Sequence, residues 1–313
     1  MLIPTADIRD WRDLQDRVAN LFREMGYEVL SPHVIKHVRG SKEVDVYVRD
    51  PRTSVPHVIL IECKHWKSNL PQDVVHGFRT VMADCGANTG IIVGSTGFQR
   101  GAEEAVAYTN LELRTWESLQ RAYGNEWFLR QKERLVPLGG KLKLKDDAYL
   151  DQFEASKTLV NLMRFERTGR LEELYGLLEE GRILTSAMSG GPRSYDQAGP
   201  LETHVHEDHP EAVADRHGMP VLQHATVRDW FQWIEQSSTN LLARIDALET
   251  EVHQSFDEMD PQDVDAAFEE TLARIREETP VRVLRPLLRE PDYQRLLDLL
   301  ADWFASVFPS ATK

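Results

Sequence analysis

The chain has 313 residues, 41% of them hydrophobic, so it is long enough for two domains of ordinary size and at least one substantial core. Its formal charge of -14 argues against binding nucleic acid by bulk electrostatics. The two cysteines, Cys63 and Cys85, make neither a zinc spacing nor a disulfide framework, and no apolar run is long enough to cross a bilayer, so a reduced, cytoplasmic protein is expected. The charge is uneven. Up to residue 124 acids and bases nearly balance, whereas residues 125–313 carry almost all of the negative excess.

In chain order, LQDRVANLFREMGYEVL places Leu14, Val18, Leu21, Phe22 and Met25 at helical spacing and stops at Gly26. EVDVYVR alternates strictly, DPRTSVP supplies turn residues, and HVILIECKHW reads as the next strand, so an antiparallel hairpin is expected. PQDVVHGFRTVMADCGA is helical, GIIVGS a short buried strand, GFQRGAEEAVAYT a helix, LELRTW a strand and ESLQRAYG a last short helix. The order predicts an α/β domain over residues 1–124, a central mixed sheet flanked by helices. An acidic, mostly α-helical part follows over 125–313, interrupted near 184–222 by a Gly-, Pro-, Ser- and His-rich stretch that reads as a flexible loop. Helical patterns return in DWFQWIEQSSTNLLARIDALETEVHQSF, VDAAFEETLARIREE and PDYQRLLDLLADWFASVF.

The hairpin brings chemistry together. Asp45 lies toward the start of its first strand and Glu62 toward the end of the second, and strand alternation puts Lys64 on the same face as Glu62. Two carboxylates that close repel unless a cation lies between them, and an oxygen-rich, doubly negative pair suits Mg2+. With a lysine beside them, the chemistry served is phosphodiester hydrolysis. Each residue alone also reads as an ordinary strand-end polar group. Glu43, on the face of Asp45 by alternation, reads as an additional ligand or a solvated residue.

Asp45 followed by Glu62-Cys63-Lys64 resembles the PD-(D/E)xK nuclease signature. The text around it, REMGYEV, VDVYV, IECKHW and ANTGIIVGSTGFQRGAEEAV, resembles the Mrr-like restriction endonucleases in particular, over about residues 10–120. That resemblance implies a restriction-endonuclease-like fold, Asp45 and Glu62 as ligands of Mg2+ or Mn2+, Lys64 as the catalytic lysine, and DNA cleavage in restriction or anti-phage defence. Many members carry a Glu in the first helix where Gln15 stands here, with Asp16 beside it, so Gln15 is the candidate to assist a metal-bound water. His65 and Lys67 after the motif, and Lys141 and Lys143 in the basic run RQKERLVPLGGKLKLK, are candidate phosphate contacts; the run also reads as a solvated linker. Trp66 reads as packing or as a base contact, and Gln72, Ser95 and Thr96 as caps.

A nuclease-fold module that binds nucleic acid without cutting it is the alternative, and RNA or branched DNA stays open as substrate. A second string, THVHEDHPE, has His204, His206, Asp208 and His209 in an HxHxDH arrangement that looks like the metallo-β-lactamase-fold hydrolases. That fold needs further ligands on later strands, whereas only His217, His224 and His253 follow, in largely helical text, so an ordinary polar loop is favoured. Cutting both strands of a duplex calls for two active sites, so a homodimer is expected, through the apolar stretch Trp230, Phe231, Trp233 and Ile234. Target recognition or a partner protein are the other roles open to the helical part.

Overall fold

The structure is a computed structural model, and it describes residues 8–37, 40–150, 164–165, 168–197, 201–205 and 209–258. The two helices expected near the C-terminus, VDAAFEETLARIREE and PDYQRLLDLLADWFASVF, lie outside the described residues.

Helix α1 spans Trp11–Glu24. Asp10 caps it, its side chain accepting from the Asp13 amide, and Gly26, at φ +85°, takes the left-handed conformation that releases the chain. Strands β1 (Glu28–Leu30), β2 (His33–His37), β3 (Gly40–Val44), β4 (Val46–Asp50) and β5 (His57–Lys64) follow. Helix α2 (Gln72–Cys85), β6 (Thr89–Gly94), α3 (Arg100–Val106) and β7 (Leu111–Thr115) complete the domain.

The main sheet has the order β1-β4-β5-β6-β7; β4 runs antiparallel to β1 and β5, while β5, β6 and β7 are parallel. Leu60 and Ile92 point to one face, where Val75, Phe78 and Met82 of α2 and Ala102 of α3 cover them. Ile59, Ile61 and Ile91 are buried on the other face, and α1 packs against β4 and β5 there through its apolar stripe. The sheet is therefore covered on both faces, and only strand ends and loops remain for chemistry.

The strand read as EVDVYVR is broken at Asp45. β3 pairs with β2 in a separate two-stranded ribbon, and β4 begins at Val46 opposite Ile61. Val44 joins the Leu60 face, whereas Val46, across from Ile61, lies on the other, so the break turns the chain over at Asp45.

The expected boundary at residue 124 falls inside a helix. Helix α4 runs over Trp116–Leu150 with Pro137 inside it, so ESLQRAYG is its first part and the basic run 130–145 is helical instead of a linker. Gly124 does not end it; a Cβ there would lie 2.5 Å from the Tyr195 ring, so this glycine makes room for a neighbour. Two compact units result: the first comprises residues 1–137 and 190–234, the second 138–189 and 235–313.

The stretch near 184–222 is not simply a loop. Helix α5 spans Leu171–Gly190, and strands β8 (Leu201–His204), β9 (Val213–Ala214) and β10 (Pro220–His224) form an antiparallel sheet of order β8-β10-β9 before helix α6 (Val227–Asp257). Within the first unit, Phe231 meets Trp127 and Phe128 edge-on with centroids 5.6 Å apart. Glu24 accepts from Trp127 Nε1 at 2.7 Å and pairs with Arg228, and Gln131 Nε2 donates to the Glu24 main-chain oxygen at 2.8 Å. Trp230, Phe231 and Ile234 are thus buried within one chain and Trp233 is half-buried, so three of the four residues proposed as a dimer surface serve the core instead. Within the second unit, Lys145 pairs with Asp246 and Glu249, and Tyr149 donates to Glu249 at 2.8 Å. Among the described residues no helix is long and apolar enough to cross a membrane.

Candidate active site

The break at Asp45 builds the site. Because β4 starts only at Val46, β5 runs past its antiparallel partner after Ile61, and the Cys63 amide would face an empty edge. The Asp45 side chain fills that place, with Cys63 N donating to Asp45 Oδ2 at 2.7 Å. The carboxylate stands in for a backbone carbonyl of the missing ladder and is fixed beside the end of β5. A relay from α1 secures its backbone: Gln15 Nε2 donates to Ser31 Oγ at 3.0 Å, and Ser31 Oγ donates to the Asp45 carbonyl at 2.9 Å.

Glu62 and Lys64 share one face of β5 and are paired to each other, each about one-fifth exposed. Burial first, and then the negative charge of Glu62, hold the Asp45 carboxyl above the usual carboxylate range; the Cys63 amide and Lys64 oppose the shift, and Glu43 adds slightly to it. Asp45, Glu62 and Lys64 therefore meet in one partly buried place. Cys63 is fully buried between them in sequence, and burial, with Asp45 and Glu62, pushes its thiol well up, which keeps it an inert thiol.

Gln15 is nearly buried, and its amide is directed to Ser31. Its contacts thus differ from the expected direct approach to a metal-bound water: it braces the backbone that carries Asp45. Ser31 escaped the sequence reading, and no local signal marks it, because its role depends on a turn meeting a bend. Glu43 is exposed at the end of β3, where the turn at Asp45 breaks the alternation expected to align the two.

After Lys64 the chain forms an exposed loop whose backbone is tied to the segment after β6. Ser95 N donates to the Lys64 carbonyl at 3.0 Å, Ser95 Oγ to that of Trp66 at 3.1 Å and Thr96 Oγ1 to that of Ser68 at 2.9 Å. Ser95 and Thr96 are loop ties, not the expected caps, and helix α2 has no side-chain cap bond. His65, Trp66 and Lys67 are all exposed. Lys141 and Lys143 are exposed on α4 within the second unit.

Residues 7–123 match the family model of the Mrr catalytic domain, described as a restriction endonuclease. These residues form an Mrr-like restriction-endonuclease domain. The mixed sheet with flanking helices is the architecture expected of it, and the helical part that follows lies beyond the match. A crystal structure described as a protein of unknown function, AF1548, aligns with 58% of this chain and 100% of its own at 14% identity, with a TM-score of 0.31; a likeness of that size carries no argument. A search of curated proteins finds no match.

Of the histidine string, His204 and His209 lie among the described residues. His204 is exposed on β8, on the opposite face from buried Thr203, while His224 on β10 points inward, accepts or donates a 3.2 Å hydrogen bond with Thr203 Oγ1 and stacks obliquely near Trp233. His206 and Asp208 lie outside the described residues, and His209 Nδ1 accepts from the Glu211 amide. Among the described residues no group of three or more His, Cys, Asp or Glu side chains could hold a metal ion. Burial lowers the His224 pKa below its ordinary value, as suits a core histidine.

Proposed function

We propose that the Mrr-like domain hydrolyses DNA phosphodiester bonds with a divalent cation, Mg2+ or Mn2+, held by Asp45 and Glu62, in cytoplasmic restriction or anti-phage defence. The observation that carries this reading is the place of the Asp45 carboxylate, held by the Cys63 amide at 2.7 Å between Glu62 and Lys64 in sequence, where those two side chains pair at the end of β5. Two carboxylates disposed to share a positive charge are a hard oxygen donor set, which fits these ions better than a thiol or imidazole site would. The Cys63 amide holds Asp45 by one oxygen and leaves the other for a ligand.

Such an ion, when bound, supplies polarisation of the scissile phosphate and a bound water of lowered pKa. The side chains of the chain do the rest. Lys64 has three N–H donors, one directed to Glu62, which leaves two for a phosphate oxygen and an attacking water. Its charge opposes the negative charge that grows on the phosphate oxygens in the transition state. Gln15 and Ser31 keep Asp45 in register with the end of β5. His65 and Lys67, exposed directly after Lys64, would hold flanking phosphates; Lys141 and Lys143, exposed in the second unit, are candidate phosphate contacts of that unit by itself. Two copies of the chain, one per strand, are the simple arrangement for a double-strand cut.

The test is incubation of the purified protein with plasmid DNA and with RNA in Mg2+, Mn2+ and EDTA. DNA cutting is expected with either ion, absent in EDTA and restored by excess metal, and Glu62→Gln is expected to be at least about a hundredfold slower. Undiminished cutting in EDTA overturns the metal role, and cutting of RNA alone overturns the substrate.

A further inference from the structure

Resting on that reading, we propose that Trp66 stacks on a nucleobase next to the scissile phosphate, so that the site takes DNA whose bases are unstacked near the cut. The indole is 41% exposed, whereas Trp116, Trp127 and Trp230 are buried, so Trp66 is not serving the core. Its backbone is nevertheless tied down. Its own main-chain oxygen accepts from Ser95 Oγ and that of Ser68 from Thr96 Oγ1, Leu70 N donates to the Gly97 carbonyl at 3.1 Å, and Gln99 N donates to the Leu70 carbonyl at 2.9 Å. A large apolar ring carried by a braced loop leaves binding only its own side-chain torsions to fix, since the backbone beneath it is already ordered.

Trp66 follows Lys64 by two residues, so their Cα atoms are at most about 7 Å apart, the reach of one or two nucleotides. His65 and Lys67 flank it, and both are exposed. Basic groups beside an aromatic platform suit a single strand, with backbone contacts from the cations and a base face against the ring. A duplex keeps its base faces covered, so a ring at this distance from the cut reaches one only where the stack is open.

Binding is measured by fluorescence anisotropy with labelled oligo-dT, an abasic oligomer with the same number of phosphates, and duplex DNA, in the uncleaving Lys64→Ala background. Trp66→Ala is expected to weaken oligo-dT binding by about fivefold to a hundredfold, with Trp66→Phe recovering most of the loss. The preference for oligo-dT over the abasic strand is expected to vanish with Trp66→Ala. Its salt dependence should remain unchanged, whereas Lys67→Ala should flatten that dependence by about one phosphate. Melting temperatures of both Trp66 variants are expected to match the parent, which separates the loss from misfolding. Equal oligo-dT affinity for Trp66→Ala and its parent overturns the proposal, as does an equal loss on the abasic strand. Plasmid cutting by the wild-type protein is scored separately: if it cuts while Trp66→Ala binds normally, only the stacking role fails, and if it neither binds nor cuts DNA, the nuclease reading fails with it.

Discussion

The Asp45 cluster and strand β8 make opposite cases. In the first, residues far apart in sequence converge because β5 outruns β4 and a side chain fills the empty edge. On β8, neighbours in sequence part company: strand alternation sends His204 outward and Thr203 inward, where its Oγ1 meets His224 from another strand and Trp230 Nε1. Adjacency in sequence scatters side chains over two faces of a sheet, and the ends of different strands collect them.

The sharpest way to break this contrast is Asp45→Asn. The amide keeps an acceptor for Cys63 N but removes the charge, and DNA cutting is expected to fall at least about a hundredfold. Stability should move the other way. The folded-state pKa of Asp45 is raised, so between the unfolded value of 3.8 and the folded one the native state binds more protons, and wild-type stability falls as pH rises through that window. Metal-free Asp45→Asn should therefore melt higher than wild type at neutral pH and lose that advantage as pH falls through the folded pKa toward 3.8. A lower melting temperature at pH 7 with unchanged cutting would reverse the assignment.

A smaller effect tests the other half. Trp230 Nε1 donates to Thr203 Oγ1 at 3.0 Å in a buried setting, and His224 shares that oxygen. Thr203→Val is expected to cost about 1–3 kcal/mol of stability by denaturant titration, because it strands a buried N–H, while leaving the cutting rate at permissive temperature unchanged. The lowered His224 pKa adds a pH signature: its contribution is present above the unfolded value of 6.5 and is lost as pH falls through the folded value, so acid should unfold the protein earlier than a His224→Phe variant.

The smallest effect is a null one. His204→Ala with His206→Ala is expected to leave cutting unchanged and to shift stability by less than about 0.5 kcal/mol, measured by melting and by rate on plasmid DNA. A bound zinc lost together with activity in that double variant would erase the contrast.

Much of the nuclease domain was legible in the sequence, since α1, β5, α2, β6, α3 and β7 each carry a local period. Hairpin register, with Val46 opposite Ile61, leads Asp45 toward Glu62, while the bond that holds its carboxylate there depends on the break in the strand. The break at Asp45 was not legible, because Val44, Val46 and Val48 alternate as though the strand continued; the split comes from β3 pairing with β2, a choice made in three dimensions. Gly124, Pro137, Gly139 and Gly140 read as helix breakers, yet α4 passes through them, with Trp127 and Phe128 packed on Phe231. The small sheet of β8, β9 and β10 was hidden in text whose Gly, Pro and His content reads as loop.

The division of the first unit into residues 1–137 and 190–234 sets an order on biosynthesis. A ribosome delivers the carboxylate cluster early, yet Trp127 and Phe128 stay wet and Glu24 lacks its arginine until the chain has been made through Phe231. A fragment ending near residue 124 severs α4 before either aromatic ring and so never reaches that closure. The nascent chain thus carries Asp45, Glu62 and Lys64 for a long interval before the unit that holds them is finished.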